Sequence, residues 1–172
     1  MDIPRNTPLV KRFFVTRRGA IQAETLADKI KKGERAITIQ VDDISGVAGM
    51  LRPGDTVDVI GIFPMETPGK AGGLTRMETM VKTVLSRVTI LAIGDIIDQH
   101  TARYNKRARK YRTVTLAVRP READLIVFAQ SRTPLMLTLC NKKSTYQIYP
   151  TVVSTSNFMQ IIREIEIERK GK

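Results

Sequence analysis

The segment AITIQVDDISGVAGMLRPGDTVDVIGIF, residues 36–63, constrains the fold of this chain more than any other stretch. Its opening AITIQV alternates apolar and polar side chains, with Ile37, Ile39 and Val41 on one side. A period of two is typical of a strand with one buried face. The closing TVDVIGIF predicts a second strand. Between the two, Gly, Asp and Pro accumulate, and these residues favour tight turns.

The connection itself contains a recognisable turn. Proline presets φ at the second position of a type II turn, and glycine accepts the positive φ of the third position. Gly46 and Gly49 flank Val47 and Ala48, where the backbone can bend sharply or approach another strand closely. We therefore predict a structural turn formed by Arg52, Pro53, Gly54 and Asp55.

The aspartates of this connection admit two interpretations. Asp42 and Asp43 follow a strand and precede a glycine, where aspartate commonly caps a turn. A carboxylate metal site is the functional alternative, but a hard cation needs more converging oxygen ligands than Asp55 and Asp58 could add. We favour the architectural interpretation.

The remaining pattern predicts a mainly β fold with one helix, a β-rich α+β class. The helix is expected at 119–132, because Pro120 suits a first helical position and apolar residues recur at helical spacing. Its apolar stripe would contain Ala123, Ile126 and Val127, with Leu125, Phe128 and Ala129 beside it. A glycine-rich loop is expected at 64–73. Further strands are predicted at 77–97 (two strands, bending near Ser86), 112–118, 134–140 and 162–170, the last a half-exposed edge strand.

Positive charge is concentrated in one short run. The chain has 29 Lys and Arg against 17 Asp and Glu, a net charge of +12, and such a surface attracts anions. Half of that net charge lies in RYNKRARKYR, residues 103–112. This run is either a solvated hairpin tip or a contact for an anionic partner. The binding candidates are Arg103, Tyr104, Lys106, Arg107, Arg109, Lys110, Tyr111 and Arg112.

No part of the sequence predicts catalysis. Nucleophilic catalysis needs an activated side chain with a base in reach. His100 is the only histidine and lies in a polar stretch beside the basic run, and Cys140 is the only cysteine, so no intrachain disulfide can form. The chain carries no phosphate-loop or zinc-protease motif. We expect a protein that is not an enzyme and that has no catalytic residues, cofactor or metal.

The segments AITIQVDDISGVAGMLRPGDTVDVIG, TVLSRVTILAIGD and RTVTLAVRPREADLIVFAQSRTPLMLTL together resemble the CpaB/RcpC family of Flp, or tight-adherence, pilus assembly proteins. The resemblance runs from about Ala36 to Arg169, and the DDISGVAG–RPGD–VDV part is its most specific element. DIPRNTPL near the N-terminus resembles the start of a SAF-type module, a β-clip fold. On this basis residues 1–35 would be the remnant of a truncated SAF-type module, and 36–172 the CpaB/RcpC-like domain.

The resemblance implies a non-catalytic periplasmic binding or scaffolding subunit that acts near the outer-membrane secretin. In the family a membrane-anchoring segment comes first, so the absence of one here implies a soluble fragment or a divergent member. Implied partners are proteins of the pilus machinery, chiefly the secretin. Peptidoglycan or an anionic lipid surface, and a homo-oligomer, stay open as further contacts.

Two other functions are alternatives to this one. The first is a nucleic-acid-binding module that uses the basic run, in which Tyr104 and Tyr111 could stack on single-stranded bases. No RNA-binding or zinc-finger signature supports that function. The second is an enzyme of the sugar-acid type, since such enzymes also contain SAF modules, but the chain lacks histidine clusters and acid/base pairs.

Overall fold

A computed structural model describes residues 25–67, 75–98, 111–143 and 152–170. Six strands and three α-helices follow one another in this part of the chain, together with a short 3₁₀ turn, Val47–Gly49. The elements are α1 (Leu26–Lys29), β1 (Arg35–Gln40), β2 (Thr56–Thr67), β3 (Arg76–Ile93), β4 (Thr113–Val118), α2 (Pro120–Arg132), β5 (Leu135–Leu139), β6 (Val153–Ser154) and α3 (Phe158–Lys170). The β-rich α+β class predicted from the sequence is confirmed.

The strands form one antiparallel sheet in the order β1-β4-β3-β2-β5. The hairpin β2–β3 continues far beyond the rest of the sheet, because its strands pair from Thr56 opposite Thr89 to Thr67 opposite Arg76. β6 adds to the outer part of β3 at Met80 and Val81. Among the described strands, β1 and β5 therefore end the main path of the sheet, and β6 borders its outer part.

The core lies between one face of this sheet and α2. Ile39 of β1 and Leu116 of β4 have no solvent exposure, and neither has Ile126 of α2. Burying one such side chain contributes about 1.5–3 kcal/mol to folding. The alternation of apolar and polar residues in β1 therefore marks a strand with one buried face, as predicted, with Ile39 and Val41 turned towards α2.

The apolar stripe of α2 is narrower than predicted. Ile126 and Ala129 are buried, whereas Val127 is 61% exposed and Phe128 is 58% exposed. α2 begins as expected, with Pro120 at its first turn and the Glu122 carboxylate accepting the Arg119 N–H at 2.7 Å. The helix rests on the sheet along one line only, so the flanks that carry Val127 and Phe128 face outwards.

The prediction that 77–97 is divided into two strands is wrong. β3 is continuous from Arg76 to Ile93, and the irregularity falls at Arg87, whose φ is +56°. The Asp58 carboxylate accepts the Arg87 N–H at 2.8 Å, which secures this left-handed residue. The predicted bend near Ser86 is thus a local irregularity inside one strand.

The predicted loop at 64–73 is also partly wrong, because β2 continues through Pro64 to Thr67. Pro64 lies opposite Thr79 in the outer hairpin. Residues 68–73 of that predicted loop lie outside the described residues.

The edge strand predicted for 162–170 is wrong, because residues Phe158–Lys170 form the helix α3. Asn157 starts the helix: its carbonyl accepts the Ile161 N–H at 3.0 Å, and its side chain accepts the Ser154 N–H at 2.7 Å. The apolar residues Phe158, Ile161 and Ile165 recur at helical spacing, and this longer pattern outweighs the brief Ile–Glu alternation. None of the described helices combines the length and the apolar character that crossing a membrane requires.

Candidate functional site

The candidate site is the connection between β1 and β2, residues 41–55, together with Tyr111 at the end of the basic run. The connection opens with a capped turn at Asp42. One carboxylate oxygen of Asp42 accepts the N–H groups of Ile44 at 2.9 Å and Ser45 at 2.7 Å, and also the Ser45 hydroxyl at 2.8 Å. The Ser45 hydroxyl oxygen in turn accepts the Asp42 N–H at 2.8 Å. These donors lower the pKa of Asp42, with the Ser45 backbone N–H contributing most.

The next residues are held in an unusual conformation. Val47, Ala48 and Gly49 have consecutive φ values of +55°, +50° and +73°. Left-handed backbone is costly for alanine and more so for a β-branched residue. The Ala48 N–H donates to the Asp43 carbonyl at 2.7 Å and the Gly46 N–H donates to the Asp42 carbonyl at 2.9 Å, so the capped turn maintains the strained segment.

Residues 52–55 form the second turn of the connection. Gly54 has a φ of +85°, and the Asp55 N–H donates to the Arg52 carbonyl at 3.0 Å. The Asp55 carboxylate accepts the Arg52 N–H at 2.8 Å through one oxygen and pairs with Lys142 at 3.1 Å through the other. The turn is joined to the sheet, because the Gly54 N–H donates to the Ile90 carbonyl at 2.7 Å.

The Arg52 side chain also serves the connection. Its guanidinium donates to the carbonyls of Leu51 at 2.6 Å and Gly49 at 3.0 Å. The charge of Arg52 therefore satisfies carbonyls at the end of the strained segment. Residue pattern alone gave no signal for this role.

Tyr111 lies beneath this connection. It is only 8% exposed, and its hydroxyl donates to the Gly46 carbonyl, so two segments far apart in sequence meet at this point. Burial raises the pKa of Tyr111. The sequence grouped Tyr111 with the surface contacts of the basic run, and its burial is the correction: this ring packs in the core and cannot stack on a partner.

The other members of the predicted basic site are only partly described. Arg112 is exposed, and its carbonyl accepts the Val41 N–H at 2.8 Å. This hydrogen bond joins the C-terminal residue of the basic run to the end of β1. Together with Gln40 and Asp43, these residues border a shallow groove beside Tyr111. Arg103, Tyr104, Lys106, Arg107, Arg109 and Lys110 lie outside the described residues, as does His100.

Asp58 and Cys140 form a separate neighbourhood. Asp58 is 4% exposed, and its carboxylate accepts the Arg87 N–H. Burial raises the pKa of the Cys140 thiol, and the adjacent Asp58 raises it further, which disfavours the reactive thiolate. Within the described ranges no three His, Cys, Asp or Glu side chains converge as metal ligands. Asp42, Asp55 and Asp58 are each engaged by a backbone N–H of their own turn or of a neighbouring strand.

These features define a class of protein: a single antiparallel sheet covered by one helix, in which an aspartate- and glycine-rich connection between two strands is devoted to turn architecture. Comparison with protein families agrees with this description, since the model of the Flp pilus assembly protein RcpC/CpaB family matches residues 24–140. The chain belongs to the RcpC/CpaB family. Comparisons with curated proteins and with solved structures give no significant match.

The matched range spans β1 to β5 and the whole candidate site. It begins before the predicted start at Ala36 and ends well before Arg169. The resemblance identified from the sequence is confirmed by this match. β6 and α3 follow the matched range.

Proposed function

We propose that this protein is a non-catalytic periplasmic scaffolding subunit that binds the outer-membrane secretin of the Flp pilus machinery. Membership of the RcpC/CpaB family implies a role in Flp pilus assembly. The observation that carries the proposal is that the part of the chain matched by the family contains the sheet and its turns. The matched range contains β1 to β5 and the capped connection, so the sequence shared with the family forms the structural framework of the fold.

The chemistry of the connection supports a scaffold. A carboxylate that acts as an acid or base must reach a substrate proton. Asp42 and Asp55 instead hold backbone N–H groups of their own turns, and Asp55 is only 7% exposed. Breaking these hydrogen bonds would destabilise the turns, so the role of the two carboxylates is to stabilise the fold.

The basic run supplies the contact surface in this proposal. Its C-terminal end is fixed, because Tyr111 packs under Gly46 and Arg112 is bonded to Val41. Cations that emerge from a rigid base lose less conformational freedom on binding than cations on a free tail. An acidic face of the secretin would be the complementary surface, and charge of this density would also accelerate encounter.

The test is binding of the whole chain to the periplasmic N-domains of a tight-adherence secretin, with and without Arg107→Ala/Arg109→Ala/Lys110→Ala. The matched control removes the same residue types from α3: Arg163→Ala/Arg169→Ala/Lys170→Ala. Both variants lose the same charge, so a general electrostatic effect weakens them equally. We expect the first variant to bind at least about tenfold more weakly and the control to bind as the unmodified protein does.

Salt dependence separates the proposal from the nucleic-acid alternative. A protein that neutralises several phosphates loses affinity with a log–log slope of about −0.7 per contact on a single strand. A contact between the basic run and an acidic protein face also weakens with salt, but it lacks the condensed counterions whose release gives nucleic acids that slope, so the loss of affinity between about 0.15 and 0.5 M salt is smaller. No binding to the secretin, with tight and salt-sensitive binding to a single-stranded oligonucleotide, would refute the scaffold proposal.

A further inference from the structure

We draw no further inference here: the strongest candidate, the groove between β1 and α2 that is bordered by Ile37, Ile126 and Val127, carries none, because nothing in the described part of the structure shows what covers it.

Discussion

Gly46 is the position where the connection is most closely packed. A Cβ atom at Gly46 would lie 2.8 Å from the Asp42 carbonyl oxygen, 3.1 Å from the Tyr111 ring and 3.2 Å from a Val41 methyl group. The first contact is below any real Cβ distance, and it involves backbone that the Asp42 carboxylate and the Ser45 hydroxyl hold in place. Gly46→Ala must therefore move the turn away from Tyr111.

Overpacking of this kind costs about 1–3 kcal/mol. For a chain of this size each kcal/mol lowers Tm by about 2–4 °C, so a decrease of roughly 2–12 °C is expected. The assay is urea unfolding followed by circular dichroism, with thermal melting as the second measurement. A shifted midpoint with an unchanged m-value would locate the effect in the folded state.

Ala48→Gly is the matched control in the same turn. Ala48 is exposed and has a φ of +50°, so glycine relieves about 1–2 kcal/mol of left-handed strain. The extra freedom of the unfolded chain offsets about 0.4–1 kcal/mol of that relief. Ala48→Gly should therefore be neutral or stabilising by up to about 1.6 kcal/mol. If Gly46→Ala were neutral, or if Ala48→Gly destabilised the protein as strongly, the described turn would be refuted.

Three other perturbations test the same connection. Tyr111→Phe should destabilise folding by about 1–3 kcal/mol in urea unfolding, because the buried Gly46 carbonyl loses its donor. Burial raises the pKa of Tyr111 in the folded protein above the ordinary tyrosine value near 10. The stabilisation that Tyr111 provides is therefore present below about pH 10 and is lost as the pH rises through the pKa of the folded state. The difference in unfolding free energy between the unmodified protein and Tyr111→Phe should shrink above about pH 10. The pKa of Asp42 is lowered in the folded protein, so stability changes with pH in the opposite direction. The stabilisation that Asp42 provides is present above about pH 4 and is lost on acidification, so Asp42→Asn should flatten the acid side of the curve of stability against pH. Gly54→Val should cost about 1–3 kcal/mol, because φ of +85° opposes a β-branched residue, and an unchanged melting temperature would contradict this.

The sequence predicts those elements whose signal is local. Alternation predicts β1, and an N-terminal proline with helical spacing predicts α2, because each of these signals lies within a few residues. The turn at 52–55 needs only proline followed by glycine. The Ile–Glu alternation of α3 is too short to distinguish a strand from a helix, whereas the wider spacing from Phe158 to Ile165 favours a helix.

The site was less predictable, because its decisive contacts are non-local. Tyr111 and Gly46 are 65 positions apart, so a local reading assigns Tyr111 to the basic run that ends there. The left-handed φ of Arg87 depends on the Asp58 carboxylate from another strand. The spacing from Asp42 to Ser45, by contrast, is a recognisable capping signal. Tertiary contacts thus decide the positions of Tyr111 and Arg87, which the local pattern leaves ambiguous.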